Sequence, residues 1–367
     1  MAAITERHKI SDFLVFYLVH GSIFGVGVLS FQRVVVEVTG NDAWIAVILS
    51  GLFVHLIVWM MYYILKDSNG SLMTLHQDIF GKWIGNAFNL VWIGYFFTTA
   101  LVILRTYIEV IEVWMFPDIT VWFYSAIFIL LVFYIIMGGI RVVTGIAFFG
   151  VILPLYLLFT FIIYPLEFAD YNNLLPVLSH SPLHVLSGVN KMTFTFIGFE
   201  SLLIYYPFIK NAEKSRKWAQ IAILFSTILY VIIMMISIVY FTEEELLRNT
   251  WPTLTMWKIV EMPFVERFEY IGIANWSFII LPNICIALWC VNRGLKEMFG
   301  IQHQKVLIFI LVLMFVFTNM MTGRNDLEEV NEMLNIAGYY LIFYYIPLLF
   351  IVTFIRKAWK KRRGQNA

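Results

Sequence analysis

The sequence predicts an all-α membrane protein with ten transmembrane helices, arranged as two five-helix halves of opposite orientation. Three observations carry this reading. Hydrophobic residues make up 61% of the 367 positions and charged residues 13%, whereas soluble domains are about half apolar and a quarter charged. Mean hydropathy is +0.81, and the apolar residues gather into long runs, which beyond about 18 residues read as membrane helices. The basic residues, finally, collect in alternate connections between those runs.

The first run, 10–36, is too long for the apolar core of a secretory signal and no small-residue cleavage pattern follows, so it is expected to remain as the first span. The others are 43–65, 83–115, 120–137, 142–165, 184–209, 217–240, 267–292, 305–321 and 334–355. The third exceeds a simple span of about 20 residues, and its end, Arg105 to Met115, is amphipathic and expected to project beyond the lipid. The eighth holds both cysteines, Cys285 and Cys290, five positions apart on different helix faces; they are expected to be packing residues and not a disulfide or metal framework. The chain is thus expected to be one transmembrane domain, 1–367, with halves at roughly 10–165 and 184–355 and a basic tail at 356–367.

Charge sets the expected orientation. With the N-terminus cytoplasmic, 18 of the 25 basic residues fall inside. Six fall outside, namely Arg33, Arg105, Arg248, Lys258, Arg267 and Arg324, and Lys191 lies within a helix. The outer connections hold 17 of the 24 acids, including Glu243, Glu244 and Glu245. Both termini are then cytoplasmic. Residues 71–83 space Leu72, Leu75, Ile79 and Trp83 as a short helix on the inner surface. The tail, RKAWKKRRG, reads as an anchor on anionic lipid or a docking segment. The longest outer loop, 241–266, contains Trp251, Pro252, Trp257 and Pro263 and suits a lid or a contact surface.

Within hydrocarbon every backbone polar group needs a partner, so interrupted helices are informative. Two interruptions occupy equivalent places in the halves: HGSIFGVGVLS (20–30) in the first span and TFIGFES (195–201) in the sixth. Paired Gly-interrupted spans in inverted halves point to a binding site at the midplane, where freed N–H groups and carbonyls meet a ligand. Close helix packing through Gly21 and Gly25 is the competing explanation. Glu200 follows Gly198 in mid-span, where an acid costs about 2.5–3.5 kcal/mol on insertion scales. It is open to three roles: proton carrier, contact to a ligand cation, or hydrogen-bond anchor holding the sixth span against the first. Tyr95, Thr98 and Thr99 cluster in the third span, and Asn283 follows Pro282, which frees backbone groups. His20 and His55 are expected to be bonded interior groups. No P-loop, HExxH or nucleophile elbow occurs, so binding or passage explains these residues more simply than bond chemistry does. No cofactor, metal or nucleic acid is implied.

An ordered set of short motifs spans nearly the whole chain: GVGVLSF (25–31), FGKWIG (80–85), GY (94–95) with Arg105 following, GFESLLIYYPF (198–208), WPTL (251–254), ERFE (266–269) and RGLKEMFG (293–300). In this set the chain resembles the membrane-embedded B subunit of bacterial spore germinant receptors, the GerAB-like germination permeases of the amino acid–polyamine–organocation superfamily. The resemblance implies a LeuT-like 5+5 inverted repeat with broken helices 1 and 6, and no enzymatic activity. It implies a pocket for a small-molecule nutrient, expected to be an amino acid, formed by Phe24, Gly25, Gly27, Tyr95, Thr99, Ile197, Gly198, Glu200 and Asn283. It also implies germinant receptor A and C subunits as partners, membrane lipids as surroundings, and the spore inner membrane as location. Proton-coupled amino acid uptake and a partner-gated ion or water conduit are the alternatives. The sequence departs from the family at Phe31-Gln32-Arg33, where many relatives have a proline. The eighth span offers Ser277 and Asn283 in place of the paired Ser/Thr of sodium-coupled relatives, which argues against a sodium site.

Overall fold

The computed structural model of the chain describes residues 5–66, 70–260, 265–321 and 323–364, with side chains as far as Trp359. Its amino-terminal half holds α1 (Val15–Ile23), α2 (Phe31–Thr39), α3 (Ala43–Leu65), α4 (Leu72–Trp114), α5 (Val121–Met137), α6 (Ile140–Ile152) and α7 (Leu157–Leu166). Then come the short α8 (Pro182–Lys191), α9 (Thr193–Phe196) and α10 (Leu202–Tyr205), followed by α11 (Ala212–Tyr240), α12 (Glu243–Arg248) and α13 (Pro252–Trp257). The chain closes with α14 (Phe268–Phe299), α15 (His303–Met320), α16 (Arg324–Tyr340) and α17 (Ile346–Gly364). Among the described residues there is no strand, only a single bridge from Ile10 to Ile209.

Seven helical stretches among the described residues are long and apolar enough to cross a membrane, the longest being Leu72–Trp114. Asp12–Ile23 and Val121–Met137 are shorter apolar helices. The chain is therefore an integral membrane protein, but length and composition alone do not establish the expected count of ten. The expected spans 10–36 and 184–209 are chains of short pieces, because each is broken in its middle.

α14, the most enclosed of the long helices, packs along α4, while α11 lies against α3 and α1, and α6 wedges between α1 and α14. Large side chains fill the centre: Trp92, Tyr95, Phe96, Phe199 and Tyr230 are all buried. Outward faces carry Leu130, Phe159 and Phe309, each at least 60% exposed, as a lipid-facing surface requires, since no water-driven burial operates there.

Residues 72–80 form the short helix expected near the inner surface, but they fold onto the bundle. Gly81, at φ +79°, reverses the chain, a conformation in which a Cβ would be strained. The residues after it run back past His76 and Gln77, so that a Cβ on Gly85 would strike their backbone. His76 is buried and uses both ring nitrogens: Nδ1 meets Asn89 Oδ1 at 2.7 Å and Nε2 meets Tyr345 Oη at 2.8 Å. Asn89 in turn donates to the Met73 carbonyl. Tyr345 closes a π-helical stretch, Leu341–Tyr345, between α16 and α17.

The end of α4, the amphipathic stretch Arg105 to Met115, is tied to neighbouring elements by its polar side chains. Arg105 is buried, bonded to the Met321 carbonyl at 3.1 Å and to Glu112 at 3.0 Å, and Glu109 reaches Arg324 of α16. Part of its polar face is thus bonded to other elements of the protein. Cys285 and Cys290 are free and buried. In the tail, Lys357 donates to the Tyr63 carbonyl of α3 at 2.8 Å; the side chains of Lys360, Lys361, Arg362 and Arg363 lie outside the described residues, as does Pro263.

Candidate functional site

The two glycine interruptions are real breaks, and they face each other. α1 ends at Ile23; Phe24 leaves helical geometry at ψ 97°, and Gly25 follows at φ −142°, ψ −140°. A 3₁₀ turn, Val26–Leu29, then leads through non-helical Ser30 into α2. The bend between the 3₁₀ turn and α2 is thus made without a proline. In the sixth span, α9 ends at Phe196, Ile197 is extended, and Gly198 sits at φ +126° before the 3₁₀ turn Phe199–Ser201. Only glycine suits that φ, and only glycine fits the space: a Cβ there would collide with the Ser22 carbonyl of α1. A Cβ on Gly27 would come within 3.0 Å of Thr195 Cα.

Breaking two helices frees carbonyls that hydrocarbon cannot satisfy. Side chains from three other elements take them. Tyr230 of α11 donates from Oη to both Ile23 O (3.1 Å) and Thr195 O (3.0 Å), bridging the breaks. Asn283 of α14 donates to Phe24 O at 3.1 Å and Ile279 O at 2.8 Å. Thr253 of α13 donates to Val28 O at 2.8 Å and accepts from Gln32 Nε2. Three carbonyls that could have ligated a cation in the first break are therefore occupied by protein donors. Among the described residues no group of three or more His, Cys, Asp or Glu side chains could hold a metal ion. The Gly25 N–H, by contrast, has no hydrogen-bond partner among the described residues.

Glu200 is fully buried, and both its oxygens are engaged. Oε1 accepts from Tyr95 Oη at 2.8 Å, and the Gly198 N–H reaches Oε1 and Oε2 at 3.0 and 2.9 Å. The carboxyl group thus holds its own broken backbone and ties it to α4, the geometry of an anchor.

The expected pocket residues fall into four sets. Gly25, Gly27, Thr99, Ile197 and Asn283 line one hollow of about 20 Å³ between the two breaks. Gly198, with Thr99 and Asn283 again, lines an adjoining hollow of about 10 Å³. Phe24 does not join them. Its ring turns to the opposite side of the first span, stacks on Tyr230 at 5.6 Å and His20 at 5.3 Å, and lines a separate apolar cavity of about 70 Å³. Tyr95 and Glu200 line neither hollow; they stand in close packing behind the sixth-span break. His20 and His55 are bonded, as expected, to Ser226 and Gln220.

Tyr230, Thr253 and Gln32 escaped the reading of the sequence. Tyr230 is one aromatic residue in a long apolar run, and only its partners, 207 and 35 positions away, show its role. Gln32 carried a usable signal: a fully buried amide in an apolar segment calls for a partner.

Comparison with known proteins follows from this architecture. A family described as spore germination protein matches residues 9–327. Spore germination protein GerQB of Bacillus cereus is 41% identical over 352 residues, covering 96% of this chain and 98% of that one. Spore germination protein A2 of Bacillus subtilis (strain 168) is 26% identical over 364 residues, covering 96% and 97%. Among solved structures, a Na⁺-coupled sialic acid symporter in a substrate-bound outward-open state superposes with a TM-score of 0.68 at 14% identity, over 95% of this chain and 79% of that one. MhsT in complex with L-phenylalanine gives 0.63 at 13% identity, over 93% and 87%. At such identities the likeness is one of fold, and it agrees with the LeuT-like architecture expected from the motifs.

Proposed function

Because the chain belongs to the family of spore germination proteins, we propose that it is the membrane-embedded B subunit of a germinant receptor, which binds a small nutrient between its two broken spans. The single observation that carries this reading is the meeting of the breaks around a hollow with a free backbone donor, Gly25 N–H, opposite Asn283. Half-helix ends with unpaired N–H groups favour a carboxylate, so an amino acid is the favoured nutrient. The hollow, about 20 Å³, exceeds the roughly 10–15 Å³ that one water needs but is too small for an amino acid. Binding then requires the breaks to separate, and a ligand that prefers the separated state shifts the equilibrium toward it. Binding alone accounts for these residues, without a chemical step.

The same reading assigns inverted repeats at roughly 10–165 and 184–355, both termini on the cytoplasmic (core) side, and residence in the spore inner membrane. It also assigns receptor A and C subunits as the partners that receive the shift. The charge asymmetry of the connections supports the orientation. Gly25→Leu tests the site: its side chain would enter the space where a Cβ already lies 3.1 Å from Asn283 Oδ1. Spores carrying the variant at normal protein level are expected to lose nutrient response while still germinating by a receptor-independent route. A normal nutrient response would refute the site.

A further inference from the structure

A second, larger cavity lies at the other end of the bundle from the inner-surface helix, on the face proposed as outer. It is an open cleft of about 800 Å³, within the roughly 300–1,000 Å³ of small-molecule sites. Four of the six basic residues assigned to that face converge on it: Arg248, Lys258, Arg267 and Arg324. The face is otherwise acidic, yet among the described residues Glu245 is the one carboxylate in the lining.

The balance of charge around the cavity narrows the ligand. Arg248 pairs with Glu244, Arg267 with Glu269 at 2.9 Å, and Arg324 with Glu328 at 2.8 Å. Glu245 is held by the Thr242 N–H and hydroxyl, at 3.0 and 2.9 Å. Lys258 has no carboxylate partner among the described residues; its ammonium lies 4.6 Å from the Trp114 ring centre. Arg324 similarly covers Trp251 at 5.5 Å. Arg267 and Arg324 hold Glu269 and Glu328 through Nε, and a terminal nitrogen of Arg324 also lies 3.8 Å from Glu109, so these arginines are already compensated. One uncompensated cation between aromatic walls fits a single negative charge on a flat apolar body better than a polyanion.

The cavity also touches the first break. α13 supplies its wall from both ends, Trp251 at its start and Lys258 just past its last turn, while Thr253 between them holds the Val28 carbonyl. The site therefore stands one short helix away from the broken span.

We infer that this cavity is a second binding site, for a monocarboxylate with an apolar or aromatic body, in which Lys258 is the principal charge contact. The inference goes beyond the midplane site and does not depend on it. Benzoate and its uncharged isostere benzamide, titrated calorimetrically into the full chain in lipid nanodiscs, test it. Benzoate is expected to bind, benzamide to bind at least about tenfold more weakly, and Lys258→Gln to weaken benzoate by about tenfold, the loss of one charge-assisted contact. Lys258→Arg, which keeps the charge, is expected to restore binding, and Gly25→Leu to leave it unchanged, which separates this site from the midplane one. Equal binding of benzoate and benzamide, no binding of either, tighter binding of inorganic phosphate, or insensitivity to Lys258→Gln would each overturn the assignment.

Discussion

Tyr95 donates a 2.8 Å hydrogen bond to Glu200 across 105 positions of sequence, and both side chains are buried. The bond fixes the sixth-span break to α4. Removing a donor from a buried acceptor costs about 1–3 kcal/mol, so Tyr95→Phe is expected to lower stability by that amount. Glu200→Gln keeps an oxygen for both Tyr95 and Gly198 and is expected to cost less than about 1.5 kcal/mol, with Glu200→Ala costing more. Thermal unfolding of the purified chain in one detergent ranks the three. Equal losses for Gln and Ala would contradict an anchoring role.

Gly198→Ala is expected to be severely destabilising. It combines a positive φ, worth about 1–3 kcal/mol of strain in a non-glycine residue, with a collision against the Ser22 carbonyl. Gly94→Ala is the contrasting case. Gly94 lies inside α4 with nothing within 4 Å of its added Cβ, and alanine there should raise stability by about 0.5–1 kcal/mol. Monodisperse yield after detergent extraction compares the pair.

Tyr230→Phe preserves the ring that stacks on Phe24 but abandons two carbonyls, one in each break. Each unsatisfied buried group costs about 1–3 kcal/mol. The expected result is a drop in melting temperature larger than that of Tyr95→Phe, with hydrogen exchange rising around both Ile23 and Thr195. Exchange rising at only one of them would show that the bridge is not shared.

Outside the spans, Thr242 and Glu245 form a capping box at the start of α12. The Thr242 backbone and hydroxyl hold the Glu245 carboxyl below the usual carboxylate range. A depressed folded-state pKa means stabilisation that is present above the unfolded value and lost as pH falls through the folded one. Protection of the amides in residues 243–248, measured against their intrinsic exchange rate at each pH, is therefore expected to fall as pH drops from about 6 to about 3, and Glu245→Gln should flatten that dependence. A variant that keeps the full pH dependence would assign it to another group.

The parts of the site legible in the sequence are those that violate the rules of a lipid-embedded helix. Glycines grouped in mid-span, a lone acid beside one of them, and an asparagine after a proline each imply a backbone or side-chain partner, and Gly198, Glu200 and Asn283 have such partners in the structure. What stayed hidden depends on direction and distance. The position of Phe24 beside Gly25 says nothing about which way its ring turns once the helix ends, and a ψ of 97° sends it toward α11. Tyr230 and Thr253 obey local rules, so only their distant acceptors distinguish them. The reversal at Gly81 was also illegible, because a helix before and a helix after a glycine read alike whether the chain continues or doubles back.

That reversal has a mechanical corollary. With Asn89 on one nitrogen and Tyr345 on the other, the His76 imidazole works as a cross-brace linking the short helix before Gly81, the third span and the last one. None of the three can slide without stretching a bond to the buried imidazole. Any rocking that opens the hollow must therefore carry this trio as one block, together with the sixth-span break that Tyr95 ties to α4, so the first span is the part that moves away from it.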